Sequence, residues 1–102
     1  MQQRDTFLIR EPGDDLDSHL WVVISDPRSY PDDMFCLNIS SSPRTFDEAC
    51  ILLPGDHPWI TQRSCVYYAS PKVLKCVEID YLVSRDLIEK REQISESVFD
   101  RI

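Results

Sequence analysis

The chain has 102 residues, 18 Asp and Glu against 11 Lys and Arg, and a net charge of −7. Apolar residues make up 42%, which is ordinary for one packed domain and excludes collagen-like or largely disordered chains; the length fits one small domain and leaves no room for a second, independently folded one. No apolar run approaches the roughly 20 residues of a bilayer span, and the acidic balance supplies no general positive field, so any nucleic-acid site would be a local basic patch against the trend.

Met1-Gln2-Gln3-Arg4-Asp5 lacks an apolar stretch, so no secretory signal is read there and a cytoplasmic location is expected. Thr6–Arg10 reads as a short strand. Glu11–Ser18, with Pro12-Gly13 and three aspartates, reads as a polar loop. Leu20-Trp21-Val22-Val23-Ile24 is continuously apolar and β-branched, the signature of a strand buried on both faces. Ser25–Asp33 is turn-rich. Met34–Ile39 is the next strand, and Ser40–Thr45 leads out of it as a loop. Ala49–Leu53 forms a strand that Pro54-Gly55 stops, and Ser64–Ala69 follows.

The last third changes character. One short helix is expected near 78–84. Asp86–Lys90 fits either a short edge strand or a continuation of that helix. Ser95 reads as an N-cap opening a helix that buries Val98, Phe99 and Ile102. Short strands followed by short helices predict an α+β domain, a small and strongly curved β-barrel or half-barrel with helical additions. Cys36, Cys50, Cys65 and Cys76 each lie in an apolar run with no CxxC among them, so they read as buried hydrophobes rather than a zinc ribbon. With two glycines, Gly13 and Gly55, the chain can build neither a P-loop nor a dinucleotide-binding loop. No cofactor and no metal is expected.

Three segments carry a resemblance. Asp14–Ser25 runs a polar loop into a hydrophobic strand. Phe35-Cys36-Leu37-Asn38-Ile39-Ser40-Ser41 is an apolar strand closing on hydroxyl residues. Ala49–Ile60, with its Pro-Gly-Asp-His-Pro-Trp-Ile stretch, and Ser64–Ala69 form a strand pair bracketing a loop. In this order of elements, with a C-terminal helix after it, the chain resembles a divergent branch of the MazF/PemK-like toxins of bacterial toxin–antitoxin pairs. The resemblance implies an SH3-like barrel, a homodimer, a cognate antitoxin, and metal-independent cleavage of single-stranded RNA by 2′-OH attack. Matched by position, the family's catalytic Arg falls on His19 and its hydroxyl residue on Ser40; the family's Arg-Pro dipeptide is His19-Leu20 here.

Metal-free RNA cleavage needs a base for the 2′-OH, an acid for the leaving oxygen and a donor to steady the phosphorus. The chain has two histidines, His19 and His57, both beside polar loops, and imidazoles suit acid and base work near neutral pH. The expected catalytic set is therefore His19, Ser40 and His57. Arg28, Arg44 and Arg63 would contact phosphate through bidentate forks, and Trp59 would stack a base. Plainer readings stand beside each: His19 as a half-buried strand residue, His57 ordering its turn, Ser40 in a turn, the arginines as solvated surface, Trp59 as a plug closing the barrel end. The alternative function is a non-catalytic SH3-like interaction module or a degenerate toxin, favoured by the charge of −7.

Overall fold

A computed structural model describes residues 1–9, 19–41 and 48–102. Six strands form one antiparallel sheet: β1 (Thr6–Ile9), β2 (Leu20–Val23), β3 (Asp33–Ser40), β4 (Ile51–Leu52), β5 (Ser64–Lys75) and β6 (Ile88–Arg91). Their spatial order is β4-β5-β3-β2-β1-β6. Among the described residues there are also two helices, α1 (Cys76–Ser84) and α2 (Glu96–Phe99). The architecture is α+β, as expected. Of the expected barrel or half-barrel, closure into a barrel is not seen among the described residues: β4, only two residues long, and β6 are the two ends of the sheet.

Alternation along the strands divides the apolar residues between two cores, one on each face. Leu8, Leu20, Val22, Leu37 and Ile39 lie on the first face, where Leu52, Ile60, Val66, Ile94 and Val98 join them. Phe7, Val23, Met34 and Cys36 lie on the second, under Ile79 of α1 and Ile88 of β6. A strand flanked on both faces should read as an unbroken apolar run, and Leu20–Val23 does; Trp21 alone is half-exposed there.

β5 is longer than its expected span, which ended at Ala69. Asn38 pairs with Tyr67 but Cys36 pairs with Lys72, so two steps along β3 face five along β5. The extra residues bulge around Pro71, whose missing N–H suits an unpaired position. The bulge bends the sheet and lets the strand run on to Lys75.

The ends of the elements follow local chemistry. In the turn Leu53-Pro54-Gly55-Asp56, proline and glycine take the places a type II turn demands, Gly55 at φ +102°. Asp56 N–H returns to the Leu53 carbonyl at 3.0 Å. α1 ends in a Schellman motif: Leu87 N–H donates to the Leu82 carbonyl and Asp86 N–H to that of Val83, with Asp86 at φ +57°. The open choice at Asp86–Lys90 thus resolves as helix stop and edge strand. Ser95 caps α2 as expected, its Oγ accepting from Val98 N–H at 3.3 Å. Val98 is buried and Phe99 and Ile102 pack beside it on the first core.

Candidate functional site

His57 follows the Leu53–Asp56 turn and points inward. It is 2% exposed. The Trp59 backbone N–H donates to its Nδ1 at 3.0 Å. Its Nε2 lies 2.6 Å from the Glu92 carbonyl oxygen and 3.1 Å from Thr6 Oγ1. Thr6 Oγ1 in turn donates to the same Glu92 carbonyl at 2.6 Å. A carbonyl only accepts, so Nε2 carries the proton; Nδ1, receiving an N–H, does not. The ring is a neutral imidazole with both nitrogens occupied, and it ties β1, the 57–60 turn and the segment after β6 together. It has no free lone pair with which to take a substrate proton.

His19 is exposed at the entry to β2, immediately before the Leu20–Ile39 pair. Val22 pairs with Thr6, the residue against His57, so position 19 is three residues further along β2, roughly 10 Å away. Ser40 ends β3 opposite Cys65 and is buried. Alternation places Ser40 on the second face with Cys36, whereas Thr6, Leu8 and hence His57 belong to the first. The structure therefore brings His19 and Ser40 to the same end of the β2–β3 pair, with His57 on the other face and sealed.

The expected phosphate ligands are dispersed. Arg28 is exposed and bonded to the Asp26 carboxylate through Nε and Nη2, the latter at 3.0 Å. That guanidinium holds the Asp26 carboxyl below the usual carboxylate range. Arg63 is exposed in the connection before β5. Arg44 lies outside the described residues, as does the expected polar loop at 11–18. Trp59 is half-buried against the first core.

The cysteines are free, three of them buried and Cys76 half-buried. Burial pushes the Cys36 thiol up to about 12 and raises that of Cys50, so neither is poised as a nucleophile. No metal-ligand cluster occurs among the described residues.

A concave site lies elsewhere, where sequence reading placed nothing. Ile24 N–H donates to the Phe35 carbonyl and Phe35 pairs with Val73, so the three side chains form a row across three strands. By alternation Phe35 shares the face of Leu37 and Ile39, the first core. The cover supplied by α2 and the 57–60 turn stops short of this row. Phe35 is 43% exposed, Val73 54% and Tyr30 63%. With Ser25 and Asp33 they line a cleft of about 400 Å³.

Tyr30, which lines the cleft, ends the Asp26–Tyr30 turn. Ser29 and Tyr30 N–H groups both donate to the Asp26 carbonyl, at 3.0 and 2.9 Å, and Arg28 N–H donates to Asp26 Oδ1. Ser25 Oγ accepts from Phe35 N–H at 3.0 Å and anchors the turn to β3. The signals for this site were weak: Ser25–Asp33 reads as a plain connection, and Val73 falls beyond the expected end of β5.

No family model matches the chain, and no curated protein matches it. Among the described residues, no helix is long and apolar enough to cross a membrane.

Proposed function

We propose that this chain is a non-catalytic interaction domain, built on an open SH3-like roll, which docks an apolar segment of a partner protein in the cleft over Ile24, Phe35 and Val73. The observation that carries the reading is the exposed cross-strand row itself. It continues the first core in register from half-buried Ile24, yet Phe35 and Val73 stand exposed at its outer end. Seating one Leu or Phe side chain there would contribute about 1.5–3 kcal/mol, the scale of an anchor residue. The occupied ring of His57 supports the same reading. Acid–base cleavage of RNA would have to proceed from His19 and Ser40 with no second imidazole at hand.

Panning a random peptide library on the purified chain tests this. Enriched peptides are expected to lose at least about tenfold in affinity for the double variant Phe35→Ser, Val73→Ser. Equal binding by that variant would refute the cleft as the docking site. Cleavage of single-stranded RNA in EDTA, abolished by His19→Ala, would restore the toxin reading in its place.

A further inference from the structure

Resting on that docking reading, we infer that the segment the cleft accepts is basic: an apolar anchor residue flanked by lysine or arginine. Three features of the cleft converge on a cation. The first is Tyr30, whose ring stands 63% exposed at the rim. The chain's own cations already cover two other aromatic faces. Lys72 Nζ lies 5.1 Å from the Trp21 ring centre and the Arg85 guanidinium 5.3 Å from that of Tyr81. Tyr30 has no such cation among the described residues, leaving its negative face open for one from outside.

The second feature is a carboxylate in the cleft lining itself. Asp33 lines the cleft and is half-exposed, with Lys75 at 3.6 Å. That ion pair is solvent-exposed and therefore weak, so an incoming cation can share the carboxylate. A side chain seated on Phe35 and Val73 thus has both an aromatic ring and a carboxylate among its lining neighbours. The third is the chain's charge of −7, which draws cationic partners by long-range attraction and repels a second copy of itself.

Three capped heptapeptides, identical in a central Leu and flanked by lysines, glutamines or glutamates, serve as probes. Binding is followed through the backbone amide resonances of Ile24, Phe35 and Val73. The lysine peptide is expected to bind at least about fivefold tighter than the glutamine peptide, and the glutamate peptide weakest. Raising the salt should erode the preference. The double variant Tyr30→Leu, Asp33→Asn, which removes the aromatic face and the carboxylate from the lining, should level the three affinities. Equal affinities in the wild type, or a preference for glutamates, would overturn the inference while leaving the cleft as a docking site. If none of the peptides moves those resonances, the docking reading falls with it. If the free chain proves a dimer whose dissociation frees the cleft, the occupant is a second copy and the inference is wrong.

Discussion

His57 sits beside a polar turn, where loop-edge histidines so often do chemistry, and yet its ring is a structural tie. The sequence places it next to Asp56 and Pro58 and so makes the turn legible. It does not reveal that a threonine hydroxyl 51 residues away and a carbonyl 35 residues away close on the same nitrogen. Such convergence depends on tertiary register, which local pattern does not carry. Removing the ring should therefore act on stability. His57→Ala leaves the Trp59 N–H unpaired and opens a cavity, at a cost of about 2–4 kcal/mol, read as a lower urea midpoint; an unchanged midpoint would contradict the role. The cysteines, by contrast, were legible from the apolar runs around them. Brief alkylation of the native chain near pH 8 should label half-buried Cys76 first and Cys36, its thiol pushed up to about 12, last. All four should react after unfolding, as mass spectrometry would show.

Most elements were legible where a turn or cap fixes them, and less so where long-range pairing does. Pro54-Gly55 and Ser95 mark their boundaries by local chemistry, and both stand where expected. β5 runs past its expected end at Ala69 because an antiparallel partner, β3, holds the chain extended beyond the bulge. The barrel was over-read for a related reason: apolar strands in series announce a curved sheet but not whether its two edges meet.

Two tests belong at this scale. At the end of α1, Asp86 holds a left-handed φ of +57°, so Asp86→Gly should stabilise the chain by about 0.5–1 kcal/mol, raising its melting temperature. In the turn after β4, Asp56 Oδ2 accepts from Leu53 N–H at 2.8 Å and from Arg101 at 2.9 Å. The Leu53 hydrogen bond, aided by Arg101, holds its carboxyl below the usual range. A depressed folded value means stability that is present above the unfolded value and lost as pH falls through the folded one. Asp56→Ala should thus melt earlier than the wild type at pH 7, and the gap should narrow below about pH 4. A gap that persisted or widened in acid would rule out this linkage.

At the scale of the whole molecule, the sheet has a core on each face, and the cover on the first face is incomplete. Helix α2 and the 57–60 turn cover one end; Phe35 and Val73 remain open at the other, beside half-buried Ile24. A domain this small buries limited apolar surface; on the proposed reading, a docked partner would extend the core over Phe35 and Val73. The sequence did not disclose the exposed end of the row, because exposure of a strand residue depends on what packs above it. Amide chemical-shift mapping during titration with a panned peptide tests the central claim most directly. The account predicts changes confined to Ile24, Ser25, Tyr30, Asp33–Phe35 and Val73. Changes centred instead on His19 and Ser40, with the cleft residues unmoved, would contradict it.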